Sequence, residues 1–325
     1  EPIKEFCERY KKILGYVAHD TGSVSVSINK EKSIIEQEIL MYSDKPKNFA
    51  RSNLLKNLYG ENDMIWREIG GTPESIKEIN KDILLKSYNK FYHPSNMALV
   101  VSGGFNPVEL MEVIRKNQNK KSFLKTSPYK REISKFDPKV EKASEEGHFN
   151  IQTPIAYWAV KYPYIENNQS LNLKMNFAID FLIDSNFSSF SSFNEDMRKN
   201  GLGEITVNYS ASYYSGYGFL TVSGTTNKYQ KLFDFINMKF DEIFTKPIDE
   251  EKLKIWKRGC HTNNIKTFNS VSKISNYLAD FHFTNQDLFD FIDAPSQISI
   301  DDVNEALKVL KQSVRTSYVL LPNNK

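Results

Sequence analysis

Residues 27–38, SINKEKSIIEQE, lie over residues 246–257, KPIDEEKLKIWK, when the second stretch is moved back by about 220 positions. The same register lays INKDILLKSY (79–88) over ISIDDVNEALK (298–308), and MALVV (97–101) over SYVLL (317–321). Asn80 and Ser299 take the same helix-capping place, each ahead of an amphipathic pattern. Three matches in one register mark an internal duplication, so the chain reads as two halves built alike.

Working outward, apolar periodicity predicts helices at 2–14, 29–42, 47–59, 81–91 and 107–117, with a strand at 97–102. The later chain reads as helices at 169–183, 228–244, 249–264 and 300–310, with strands at 150–161, 205–213, 218–223 and 316–321. The class is α+β. The expected division is 1–119 for the first half, a linker at 120–147 dense in Lys, Glu, Ser and Pro, and 148–325 for the second half. The second half opens with a strand, a helix and two more strands before it reaches material equivalent to Pro2. The first half is therefore expected to be N-terminally incomplete, lacking about 80 or more residues, including a helix corresponding to 171–183. Such a half should show a bare sheet edge and apolar surface, covered by a retained piece or by oligomer contacts.

The helix over 31–42 carries an anomaly. Ile34, Ile35, Ile39 and Tyr42 define an apolar stripe, and Glu31 and Glu38 fall near its centre while Glu36 points away. Buried acids need a cation, a proton or hydrogen-bond donors, so the pair is expected to face one of these.

Bulk numbers restrict the partners. The chain has 325 residues, 40% of them hydrophobic, and 43 basic against 40 acidic residues interspersed without a basic arm. Nucleic acid is not an expected partner. Cys7 and Cys260 form no disulfide framework, which points to free thiols in a reducing compartment, and the expected location is the cytoplasm. No apolar run approaches the roughly 20 residues of a membrane helix. Cys260 beside His261 lacks a second ligand pair spaced for zinc. The aromatic run YSASYYSGYGF (209–219) reads as cross-strand packing before it reads as a peptide cleft.

EKSIIEQEILMYSDKP from Glu31, GGTPESIKEIN from Gly70 and YNKFYHPSNMALVVSGGFNP from Tyr88 occur in an order and spacing that resemble the pitrilysin/insulinase metallopeptidases, in their bacterial processing-peptidase-like branch. GFLTVSG from Gly218 and QISIDDVNEALK from Gln297 resemble that family's second half more weakly. The resemblance implies two duplicated α+β halves, each a mostly antiparallel sheet covered by helices, closing as a clamshell around a peptide. It implies a zinc held by His-x-x-Glu-His and by a downstream acid of a Glu-x6-Glu pattern, which Glu31 and Glu38 match. Glu38 is then the metal ligand and Glu31 a supporting acid in the catalytic site.

The sequence departs from that pattern at the histidines. His19, His93, His148, His261 and His282 include no two that are four residues apart, so the motif is absent. His93 in FYHPSN reads as a turn residue. Relatives in this resemblance often offer substrate an Arg and a Tyr spaced Arg-x6-Tyr; here Arg198 is present, Ile205 stands where the Tyr is expected, and Tyr209 is the nearest substitute. Arg198 is the candidate substrate contact, with a helix-end arginine as the plainer reading. The expectation is the greater part of a zinc-dependent endopeptidase, acting on peptides or unfolded polypeptides, inactive as this chain alone and paired with an identical or related subunit. The alternative is a noncatalytic peptide-binding partner of a paired peptidase-like complex.

Overall fold

The computed structural model describes residues 24–123, 135–164, 169–214 and 216–323. The helix predicted at 2–14 lies outside them. Contacts group the chain into two units. One draws on Glu1–Asn48 and Arg67–Met97; the other takes Phe49–Trp66, Ala98–Lys121 and the chain from Tyr129 onward.

The first unit is helical where it is described. Helix α1 spans Val24–Ser43, and the opening residues of α2, Pro46–Tyr59, follow it. Helix α3, Pro73–Glu78, starts on a capping box in which Thr72 and Ser75 exchange bonds, with Pro73 preset for the first turn. Gly71 before it has φ +84, and a Cβ there would stand 2.5 Å from the Ser75 Oγ, so the turn requires glycine. Helix α4, Lys81–Phe91, is capped by Asn80, whose side chain accepts from the Ile83 N–H at 3.0 Å. It buries no residue.

The second unit is built on a mixed five-stranded sheet in the order β1-β5-β2-β4-β3. The strands are β1 (Ser144–Phe149), β2 (Ile155–Lys161), β3 (Val207–Tyr214), β4 (Tyr217–Thr225) and β5 (Val314–Pro322). Among the described residues only the β1–β5 pair is parallel. The α+β expectation and the helix-covered, mostly antiparallel sheet hold for this half. Central β2 is buried along its whole length because both faces are covered. Even Lys161 is buried, its ammonium 5.1 Å from the Tyr59 ring centroid, and burial holds its pKa down.

One face of the sheet carries Ala156, Trp158, Val160, Leu220 and Val222 into the main core. That core is closed by α6 (Gln169–Phe187), α8 (Tyr229–Glu242), α9 (Glu250–Ile265) and α12 (Ile300–Leu310), with the short α7 (Phe193–Lys199) at its side. Trp158 donates to Asn237 on α8 at 3.0 Å, which satisfies the buried indole N–H. Helices α10 (Val271–Thr284) and α11 (Leu288–Gln297) join through Phe281, Leu288 and Ile292. The opposite face of the sheet, with Ile155, Tyr157, Ala159, Phe219, Tyr318 and Leu320, is covered by Ala50, Leu54, Leu55 and Leu58 of α2. A helix read as part of the first half thus completes the second half's core. The remaining helix, α5 (Pro107–Gln118), buries no residue.

Two sequence readings change. The charged segment counted as a linker to residue 147 ends in a strand: Ser144–Gly147 pair with Ser317–Leu320, and Thr316 donates to the Lys142 carbonyl at 2.6 Å. An edge strand buries one face only, so polar composition concealed it. The strand expected at 97–102 is an extended segment with no strand partner among the described residues, where the first half shows no sheet. A strand is defined by its ladder, and extended apolar sequence without a neighbour cannot make one.

Candidate functional site

Helix α1 carries Glu31 and Glu38 on one face, but that face is not the packed one. The covered stripe is Lys32, Ile35, Glu36 and Ile39, which follows i, i+3, i+4, i+7. Ile39 meets the loop at Gly70, where a Cβ would come to 3.3 Å from its Cγ1. Glu36 pairs with Lys77 of α3 at 3.4 Å, and Lys32 donates to the Lys77 carbonyl at 3.0 Å.

The exposed strip runs through Glu31, Ile34, Glu38, Met41 and Tyr42, with Ile34 51% and Met41 53% exposed. The expectation of two buried acids is therefore corrected, since only Ile39 of the predicted stripe is buried. Glu36, read as pointing away, is the acid with a partner. Glu31 and Glu38 are exposed, with no ion pair or side-chain hydrogen bond among the described residues.

These two carboxylates do not make a metal centre with their surroundings. No group of three or more His, Cys, Asp or Glu side chains capable of holding a metal occurs among the described residues. Two acids on one helix face leave the four-coordinate demand of zinc unmet.

Arg198 belongs to the other unit. It is exposed in the last turn of α7 and makes no side-chain bond among the described residues. Its backbone passes so near Gly203 that a Cβ there would lie 3.2 Å from the Arg198 Cα and 2.6 Å from its Cγ. Glycine at 203 fixes the position from which Arg198 projects. Tyr209 does not extend into solvent as its substitute partner. Its hydroxyl donates to Asp184 at 2.9 Å, and burial with that neighbouring charge raises its pKa.

The second half contains an acid pair that sequence reading passed over. Asp180 and Asp184 lie one turn apart on α6, among Phe177, Ala178, Ile179, Phe181, Leu182 and Ile183. Asp184 accepts from Tyr209 on β3 and, at 2.8 Å, from the Trp256 indole on α9, so one carboxylate ties three elements together. Asp180 has no hydrogen-bond donor among the described residues. Burial, then the Asp184 charge, pushes its carboxyl up to about 7. Cys260 on α9 is pushed up to about 12 by burial, then by the two acids, which leaves it a thiol at neutral pH. The signal was available: two acids at i, i+4 in a helix apolar on nearly every side.

A model of the peptidase M16 inactive domain matches residues 78–259. An uncharacterized zinc protease of Bacillus subtilis, YmfH, is 29% identical over 304 residues, which take in 93% of this chain and 70% of that protein. A putative M16-like peptidase from Alicyclobacillus acidocaldarius superposes with a TM-score of 0.81 at 26% identity, over 92% of this chain and 71% of the other. A protease from Helicobacter pylori gives 0.71 at 16% identity, over 91% and 72% of the two chains, which is a likeness of fold.

Proposed function

On the footing that the chain belongs to the peptidase M16 inactive-domain family, we propose that it is the greater part of a zinc-dependent endopeptidase whose metal site is completed by residues outside these 325. Glu38 is the one ligand this chain contributes, and Glu31 supports it by hydrogen bonding. The second half presents Arg198 to an extended peptide. The observation that carries this reading is the exposed strip of α1. Its two acids make no ion pair or side-chain hydrogen bond among the described residues while their neighbour Glu36 is paired, and the chain is similar to proteins named as zinc proteases. Substrates are peptides or unfolded polypeptides, and the working protein pairs with an identical or related subunit.

The chain alone is expected to show no chelator-sensitive cleavage of a quenched fluorescent peptide. Joined to a segment carrying His-x-x-Glu-His, the protein should bind about one zinc per chain and cleave that peptide. Glu38→Gln should then remove both the metal and the activity. Stoichiometric zinc retained by Glu38→Gln would sink the ligand assignment.

A second reading has its own support, because the matching family model describes an inactive domain. In it the chain is a noncatalytic peptide-binding subunit of a paired complex. Peptide binding without zinc in the assembled protein, weakened by Arg198→Ala and indifferent to Glu38→Gln, would select it.

A further inference from the structure

Lys239 is a buried charge that the proposed function leaves unused. It lies on α8 with its side chain 2% exposed, and it donates to Asp196 of α7 at 2.9 Å and to Glu242 of its own helix at 2.7 Å. A buried ammonium persists only where such acceptors meet it. The Lys239 bond, then that of Ser192 at 2.7 Å, holds the Asp196 carboxyl below its usual range. One turn earlier, Phe193 of α7 packs on Phe235 of α8 with ring centroids 5.4 Å apart. Phe193–Phe235 and Asp196–Lys239 are thus two contacts a turn apart on each helix, which fix the rotation of α7 as well as its place.

That rotation decides where Arg198 points. Phe193, Asp196 and Met197 share the packed face of α7, where Phe193 and Met197 are each 2% exposed. Arg198 stands about 200° round the helix from Asp196 and is exposed. A helix of seven residues has too few internal hydrogen bonds to hold itself, so its order comes from these contacts. Past its end, Lys228 donates to the Gly201 carbonyl at 3.0 Å and to Glu204 at 2.5 Å, which pins the turn that brings Gly203 against Arg198.

We propose that Lys239 is a positioning residue: through Asp196 it locks α7 on α8, so that the Arg198 guanidinium meets an extended peptide in one orientation. The role rests on Arg198 being the peptide contact of the second half. Its physical basis is preorganisation, since an arginine on an already ordered backbone gives up less freedom when a peptide carbonyl or carboxylate arrives.

Hydrogen exchange followed by mass spectrometry reads the tie itself. Lys239→Met, and Asp196→Ala, which cuts the tie from its partly exposed end, should each speed exchange of the 193–203 amides at least about tenfold and leave those of β2 unchanged. Peptide affinity reads the consequence, by fluorescence anisotropy on the assembled protein with chelator present and fluorescein-labelled, carboxymethylated lactalbumin as the unfolded probe. Arg198→Ala and Lys239→Met should each weaken binding at least about fivefold, and the double variant should bind no more weakly than Arg198→Ala alone, because Lys239 acts through Arg198. Further weakening in the double variant marks an effect spread over the second half; it overturns the role of Lys239 and leaves Arg198 as a peptide contact. Unchanged exchange at 193–203 overturns that role too. Native protein that ignores the probe, or Arg198→Ala that binds it as the native protein does, overturns the peptide reading of Arg198 and the role of Lys239 with it.

Discussion

Asp180 and Asp184 show how differently two identical side chains behave one helical turn apart. Asp184 accepts two donors, and its removal leaves the Tyr209 hydroxyl and the Trp256 indole N–H without an acceptor. Asp184→Ala should therefore cost about 2–4 kcal/mol in urea unfolding, as expected when buried donors are left unmade. Asp180 has the opposite problem. Its folded value of about 7 lies above the ordinary 3.8, so folding favours the protonated acid. That stabilisation is complete below about pH 4 and is lost as pH rises through about 7. Thermal unfolding midpoints of the native protein should fall between pH 4 and pH 8 by more than those of Asp180→Asn. At pH 8 the variant should be the more stable of the two. An unchanged slope would show that Asp180 is not the group responsible. The helix-periodicity argument that selected Glu31 and Glu38 applies with more force to this pair. Helix α1 carries apolar residues on two faces, so hydrophobic spacing alone could not say which one is packed.

At the level of elements, sequence reading was strongest where local chemistry sets the ends. Helices α4 and α12 span the predicted Lys81–Phe91 and Ile300–Leu310 because Asn80 and Ser299 cap them and apolar periodicity fills them. It was weakest where an element depends on a distant neighbour. Strand β1 draws its identity from β5, and 97–101 lack a ladder despite a strand-like composition. Helices α10 and α11 were missed for a related reason. Pro295 lies within α11, and proline is read as a helix breaker until its place in the last turn is known. Helix α2 is the element on which the most packing depends, since Ala50, Leu54, Leu55 and Leu58 are fully buried against the sheet. Leu54→Ala should destabilise the second unit by about 2–5 kcal/mol through the cavity it leaves. Denaturation followed by the fluorescence of Trp158 and Trp256, both in that unit, would measure it.

At the scale of the whole molecule, the two repeated halves and the two packed units do not share a boundary. The second half begins near residue 148 by sequence, yet its core includes Phe49–Trp66. A fragment of residues 135–325 should therefore leave Ile155, Tyr157, Phe219, Tyr318 and Leu320 bare and self-associate on size-exclusion chromatography. Supplying residues 46–66 as a peptide should reduce that association. No effect would mean that α2 is dispensable to the fold. The repeat was legible because three of its segments kept both pattern and register. The exchange of α2 was not, because nothing in PKNFARSNLLKNLY says which sheet its leucines meet.

The same exchange sets the order of events during synthesis. Leu54 and Leu58 leave the ribosome long before Tyr318 and Leu320, which they pack against. Until β5 arrives to fill the sheet between β1 and β2, α2 has an apolar face and no finished surface to seat it. Closing a loop of that length precedes any packing reward, which makes the final step slow and leaves the nascent chain open to wrong partners. This protein should therefore depend on holding chaperones during translation, and a stop codon before β5 should yield an insoluble product.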